Sequence, residues 1–404
     1  MEYIPFISHK KDIIMNKEEF NDICPYDDSQ FSEKLAHLVK EPGFEKAVRY
    51  AMPDVNFYKF SKGLLGVNSQ DAFQLRIIKP FLESLEKKTT KGITSSGFEN
   101  LDKEQCHTYI SNHRDIVLDA SFLNLCLIRN GFNTCEIAIG SNLLIFEWIV
   151  DMVKLNKSFI VKRNLPMMQA LRAAKQLSGY INYVINHKHE SAWIAQREGR
   201  AKDSNDRTQE SLIKMLSLEG EGGNLLENLI SKNLAPVSIS YEYDPNDYLK
   251  AREFLLRQRD PDFQKCQKDD LVSMEIGIMQ YKGHVHFAAS KCITPELEKL
   301  RELDDKNEIV QQVCAIIDRN IHLAYKIYPI NYIAYDEIEG SSRFKSEYTE
   351  EQAAEVNAYI EKQLDKVVDV PNITESERAY MREMMLTMYA NPLRNKLTAE
   401  QVNR

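Results

Sequence analysis

The chain has 404 residues, 43% of them hydrophobic and 28% charged, with a net charge of −8. That length holds one sizeable core within two or three domains, and the composition is that of an ordinary soluble globular protein. The acidic balance excludes a nucleic-acid binder working through a global basic field, though not a local basic patch. Seven scattered cysteines, an odd number with no CxxC pair, argue against a disulfide framework and a zinc finger and suit a reducing cytosol. Met1 to Pro5 lack the basic flank and apolar core of a signal peptide. No run approaches the ~18 apolar residues of a membrane span; the nearest, Leu143 to Val153, is broken by Glu147 and Asp151.

Residues 1–95 read as a helical N-terminal region. Ser32–Lys40 and Phe44–Met52 form short amphipathic helices parted by Glu41-Pro42-Gly43. Asp71–Lys88 is longer, with Pro80 expected to kink or divide it. A helical lid or an interaction platform fits this region. From about residue 92 strands alternate with helices: strand Cys106–Ser111, helix Ile116–Asn130 stopped by Gly131, strand Glu136–Ile139, helix Leu143–Val153, strand Ser158–Val161, helix Pro166–His187, strand Ser191–Ala195, helix Gln209–Ser217, then strands Leu234–Tyr243 and Gly283–Ala288. This alternation predicts an α/β fold, a mostly parallel mixed sheet covered by helices, over residues 96–295. Residues 296–404 form a helical C-terminal extension with Pro371 and Pro392 as breakers.

Chemistry collects at the carboxyl ends of strands in such sheets. His113, Lys162-Arg163 and Glu198-Gly199-Arg200 each follow a predicted strand directly. Three segments therefore deliver reactive side chains to one sheet edge. An imidazole beside a carboxylate can take a proton from an alcohol, the acid fixing the ring's tautomer. Asp119 and Asp115 are both within reach of His113. The same stretch also suits a helix start capped by Asn112 or Asp115, with His113 an ordinary turn residue. Lys154, Lys157, Lys162 and Arg163 lie within ten residues with no acid between them. They suit a phosphate or a solvated basic loop. In Arg197-Glu198-Gly199-Arg200 two guanidiniums flank a carboxylate, and the glycine permits close backbone approach; a tight turn with a surface ion pair is the alternative. For Lys202 to Arg207 a mobile polar loop is the bland alternative. Two His-x-His pairs, 187/189 and 284/286, have no third ligand nearby, so no metal site is expected.

In sequence order, Asn112-His113…Asp119, Phe159-Ile160-Val161-Lys162-Arg163, Arg197-Glu198-Gly199-Arg200 and Ala235-Pro236-Val237-Ser238-Ile239-Ser240-Tyr241 resemble the four motifs of the glycerol-3-phosphate / lysophosphatidate acyltransferase superfamily. Lys282 to Phe287 and Asn331 to Ala334 are similar to its longer glycerol-3-phosphate branch. The resemblance spans roughly residues 95–335. Two spacings depart from the family's pattern. Five residues rather than four separate His113 from Asp119, consistent with one extra residue in the turn. Gly199 and Arg200 are adjacent, which leaves Lys202 and Arg207 as rivals for the role of Arg200.

The resemblance implies an acyltransferase acting on glycerol-3-phosphate or its 1-acyl form, with acyl-carrier protein or acyl-coenzyme A as donor. His113 would be the general base and Asp119 its orienting partner. Lys162, Arg163, Glu198, Gly199 and Arg200 would bind substrate, with Arg163 and Arg200 on the phosphate. No cofactor, metal or nucleic acid is implied. The expected partners are the thioester donor, the glycerol acceptor and a membrane surface, with the protein cytoplasmic and peripheral on the inner face of the cell membrane. The Leu143–Val153 helix, with Trp148, and the apolar helix after Asp119 are candidates for an acyl groove or membrane-facing surface. Two rival functions are an acyltransferase for a lyso-aminolipid or other phosphate-free acceptor, and a catalytically silent lipid- or protein-binding module.

Overall fold

The computed structural model describes residues 17–402. Its centre is a seven-stranded sheet of β1 (Ile93–Ser96), β2 (Thr108–Ser111), β3 (Glu136–Gly140), β4 (Ser158–Val161), β5 (Ala192–Ala195), β6 (Leu234–Tyr241) and β7 (Val285–Ala289). The order is β1-β7-β6-β2-β5-β3-β4. The five strands from β6 to β4 run parallel; β7 is antiparallel to β6, and β1 is parallel to β7. This is the α/β, mostly parallel mixed sheet that the strand–helix alternation predicts. Every residue of β2 and β6 is buried, as central strands covered on both faces are. β1 carries the polar sequence Ile-Thr-Ser-Ser, and its alternation is too brief to stand out without the sheet edge that receives it.

Helices cover both faces. On one lie α4 (Lys79–Thr89) and α5 (Leu118–Arg129), whose Leu82, Leu85, Phe122, Leu123 and Leu127 pack on Tyr109, Trp193, Val237 and Ile239. On the other lie α7 (Met167–Asn186) and α10 (Lys306–Leu323), with Tyr180, Ile181, Val184, Val313 and Ile317 against Ile110, Phe159 and Ile194. Burying such side chains contributes about 1.5–3 kcal/mol each. The apolar helix after Asp119 is thus sheet core.

An N-terminal cluster unites α1 (Asp28–Leu38), α2 (Pro42–Ala51) and α3 (Phe57–Leu64) with α6 (Glu147–Leu155). Trp148 of α6 belongs to this cluster, where its ring meets Phe44 at 6.5 Å between centroids. A Cβ on Gly43 would lie 2.3 Å from the indole Nε1. Trp148 therefore anchors the N-terminal helices rather than an acyl groove. The predicted helix start at Leu143 also moves: Ser141–Leu143 is a 3-10 turn and α6 begins at Glu147. The long Asp71–Lys88 helix is divided as expected, by a π-helical turn at Gln74–Ile78 just before Pro80.

At the other end, α8 (Asp247–Arg259), α11 (Pro329–Ile338), α12 (Glu350–Leu364) and α13 (Glu375–Val402) share a fourth cluster, and α9 (Gln267–Met279) packs beside it. Pro392 does not break α13, contrary to its reading as a breaker. Tyr389 and Leu393 are buried, and Asn331 Nδ2 donates to the Tyr389 carbonyl at 2.8 Å. A helix turn loosened by proline is tolerated where a side chain satisfies its carbonyls.

Candidate active site

β2 leaves the sheet at Asn112, whose side chain replaces the ladder. Asn112 Nδ2 donates to the Ile239 carbonyl at 2.9 Å, and Ile239 N–H donates back to Asn112 Oδ1 at 2.8 Å. This clamp holds the strand end while the next residues turn into α5. Asp115 Oδ1 accepts from Val117 N–H at 2.9 Å and Leu118 N–H at 2.7 Å. Asp115 therefore closes the turn that leads into α5.

His113 pairs with Asp119. Nδ1 lies 2.8 Å from Asp119 Oδ2, and that oxygen also accepts from Arg114 N–H at 2.6 Å and Asp115 N–H at 3.0 Å. Asp119 is fully buried and His113 nearly so. The Trp193 ring meets the imidazole edge-on at 5.9 Å between centroids, and its Nε1 donates to Ser111 Oγ at 2.9 Å. His113 Nε2 has no hydrogen-bond partner among the described residues. The rivalry between Asp115 and Asp119 ends here, because five intervening residues place Asp119 in the first turn of α5, facing back onto the loop. Burial, then the neighbouring Asp119 charge, pushes the Asp115 carboxyl up.

Arg114 is a residue that motif reading passed over. It is buried and grips Asp206 bidentately, Nη1 to Oδ1 at 3.0 Å and Nη2 to Oδ2 at 2.6 Å. Burial alone would depress its pKa; the Asp206 carboxylate reverses that and raises it. The Tyr325 hydroxyl also donates to Asp206, and His322 Nε2 meets the Asp206 carbonyl at 2.9 Å. Burial holds His322 down at about 4, so its ring is neutral. The 202–207 loop is consequently anchored through Asp206, near its end, which disfavours the mobile-loop alternative. A sequence signal existed: a charged residue directly between the histidine and Asp115 must find a partner if the loop is buried.

The adjacent strand ends bring Arg163 and Glu198 together, Nη1 to Oε2 at 2.9 Å, in a partly exposed pair. Gly199 has φ +66°, and a Cβ there would meet nothing within 4 Å. Glycine serves the left-handed turn here, and the space above it is open. Lys162 does not join Arg163. Just past β4 it turns to the N-terminal segment, where it pairs with Asp22 and donates to Gln176 Oε1 at 2.9 Å. Lys154 reaches the carbonyls of Asn21 and Asp22, and Lys157 pairs with Asp71 at 2.6 Å. The basic run thus disperses into the N-terminal segment and leaves Arg163 at the edge. Arg200 is buried and turned beneath the loop, its Nη1 3.2 Å from the Asn246 amide oxygen once that amide is oriented to satisfy both its neighbours. Lys202 is engaged with Glu253 at 2.7 Å. α9 closes the underside: a Cβ on Gly277 would lie 2.0 Å from Asp115 Oδ2.

Of the His-x-His pairs, both ring nitrogens of His286 meet hydroxyls, Thr94 Oγ1 at 2.7 Å and Ser96 Oγ at 2.9 Å, and His284 stacks on Tyr328. Among the described residues no group of three or more His, Cys, Asp or Glu side chains is placed to hold a metal ion.

No family model matches the sequence, and no curated protein matches it. Among solved structures, the chain is similar to one described as the 1-acyl-sn-glycerophosphate (LPA) acyltransferase PlsC from Thermotoga maritima, at 10% identity and a TM-score of 0.34, over 73% of this chain and 94% of that one.

Proposed function

We propose that the protein is an O-acyltransferase that moves a fatty acyl group from a thioester, acyl-coenzyme A or acyl-carrier protein, to a hydroxyl of glycerol-3-phosphate or 1-acylglycerol-3-phosphate. The observation that carries this reading is the His113–Asp119 pair, 2.8 Å apart, at the carboxyl end of a central parallel strand with Nε2 unclaimed. Asp119 fixes the proton on Nδ1 and stabilises the imidazolium; Nε2 takes the acceptor hydroxyl's proton. The oxygen attacks the thioester carbonyl, the C–S bond breaks, and the imidazolium returns its proton to the thiolate. No acyl-enzyme forms. Arg163, whose pairing with Glu198 is partly exposed, is the cation available at the same edge for the acceptor phosphate.

The start of α7 supports a lipid acceptor. Met167, Met168 and Leu171 are 87%, 69% and 51% exposed, and Phe146 is 52% exposed. Met167, Met168 and Leu171 follow Arg163 closely in sequence, so apolar side chains are exposed just after β4. No helix among the described residues is long and apolar enough to cross a membrane, so contact through this end would be superficial.

The test is acyl transfer by purified protein with glycerol-3-phosphate and 1-acylglycerol-3-phosphate offered side by side in lipid. Ester product from either acceptor, with no acylated protein detected by mass spectrometry during turnover, is expected. A trapped acyl-enzyme would overturn direct transfer. Product only from phosphate-free acceptors would overturn the role of Arg163.

A further inference from the structure

A cavity of about 380 Å³ opens between α8, α9 and the segment joining α12 to α13. Its floor is Arg200, from the loop after β5. Seven cationic side chains line it against three carboxylates, Glu253, Asp269 and Asp369. The carboxylates are already shared out. Glu253 holds Lys202 at 2.7 Å and Lys265 at 3.9 Å. Asp369 holds Arg252 at 2.6 Å, and Asp269 lies 3.8 Å from the same guanidinium. Lys250 is committed to the buried Asp244. Arg200 is left with the neutral Asn246 amide, although it is only 7% exposed, and neither it nor Lys268 has a carboxylate partner among the described residues.

Arg200 feels the charge of the Asp115 carboxyl but makes no ion pair with it; a buried guanidinium without a bonded carboxylate is costly, and an entering anion offsets that cost. The surrounding cations share that demand: burial, then the nearby Arg200 charge, holds Lys202 down at about 8. The volume exceeds what one carboxylate needs, and the guanidinium fork suits phosphoryl oxygens. The walls are not polar throughout. Tyr248, Phe263, Leu249 and Val272 supply aromatic and aliphatic surface, which an inorganic ion cannot use and a ring can.

We propose that this cavity binds the phosphorylated, ring-bearing end of a nucleotide-type ligand. Resting on the acyltransferase reading for this step alone, that ligand is the nucleotide end of a coenzyme A thioester, and Arg200 serves the donor while Arg163 serves the acceptor.

Calorimetric titration of the full chain with adenosine 3′,5′-diphosphate, pyrophosphate and adenosine tests it, with Lys268→Glu and Arg200→Met beside the wild type. Lys268 is exposed, so its charge reversal leaves the fold intact. The diphosphate nucleotide binds, Lys268→Glu weakens it about tenfold or more, and Arg200→Met abolishes it. No binding by folded wild-type protein, or an unchanged Kd in Lys268→Glu, would overturn the site. Pyrophosphate binding as tightly as the nucleotide would overturn the ring contact. His113→Ala binds the nucleotide as the wild type does. Nucleotide binding without acyl transfer from any donor would therefore sink the acyltransferase reading and leave the cavity standing, and transfer without nucleotide binding would do the reverse.

Discussion

Replacing Asp206 by Asn leaves the Arg114 guanidinium buried with its counter-charge gone. Both of its charge-assisted bonds, at 3.0 and 2.6 Å, are lost or reduced to neutral ones. Removing one partner of a buried ion pair costs about 3–5 kcal/mol, a large part of the ~5–15 kcal/mol that holds a domain folded. Arg114→Met leaves Asp206 with the Tyr325 hydroxyl and costs a similar amount. The double variant Arg114→Met/Asp206→Asn leaves no unpaired charge, so it is less destabilised than the sum of the singles, with a coupling of about 2–4 kcal/mol. Urea unfolding of the four proteins measures this, from midpoints at constant slope. Because Arg114 N–H also holds Asp119, the singles disturb the His113 loop as well. Singles costing under about 1 kcal/mol, or additive effects, would refute a buried clamp.

Three further outcomes follow from the same geometry. Gly277→Ala forces a methyl to within 2.0 Å of Asp115 Oδ2, so α9 or the Asp115 turn must move; a loss of about 1–3 kcal/mol is expected by thermal or urea unfolding, and an unchanged midpoint would contradict the packing. Asp247 is buried against the Tyr359 and Tyr389 hydroxyls at 2.7 and 2.8 Å, and burial pushes it up to about 6. Its folded pKa exceeds the unfolded value, so its contribution is full only below the unfolded value of 3.8 and is lost as pH rises from there through about 6, by up to roughly 3 kcal/mol. Asp247→Asn removes that part of the pH dependence of stability between pH 4 and 7, and identical pH profiles would count against it. Glu198→Gln frees Arg163 from a partly exposed pair, shifting stability by about 0.5 kcal/mol at most, while Arg163→Ala raises KM for phosphate-bearing acceptors and not for phosphate-free ones; equal effects on both would remove Arg163 from the phosphate.

The sheet was legible because its strands are buried on both faces and read as apolar runs between glycine-, proline- and polar-rich turns. Strand β4 carries the expected bounds, and β2 and β6 differ only at their ends. β1 is hidden in the sequence because four mostly polar residues alternate too briefly to stand out. The His113–Asp119 spacing was legible as a pair of candidates, but choosing between Asp115 and Asp119 required knowing which carboxylate closes the turn before α5. Lys162 and Arg163 show a second limit. Just past β4 they part, Lys162 to the N-terminal segment and Arg163 to Glu198, so this basic run sends only one side chain to the site. Arg114–Asp206, separated by 92 residues, was invisible because an ion pair made across loops leaves no periodicity. The Arg200 cavity is likewise assembled from segments spread over residues 200–369.

The central claim is that His113, oriented by Asp119, activates a hydroxyl toward a thioester. The initial rate of acyl transfer to glycerol-3-phosphate or 1-acylglycerol-3-phosphate by wild type and by folded His113→Ala tests it most directly. Loss of a general base removes about 10²–10⁴-fold of the rate, and the account predicts a fall of that size in the variant. Full activity in His113→Ala would contradict it.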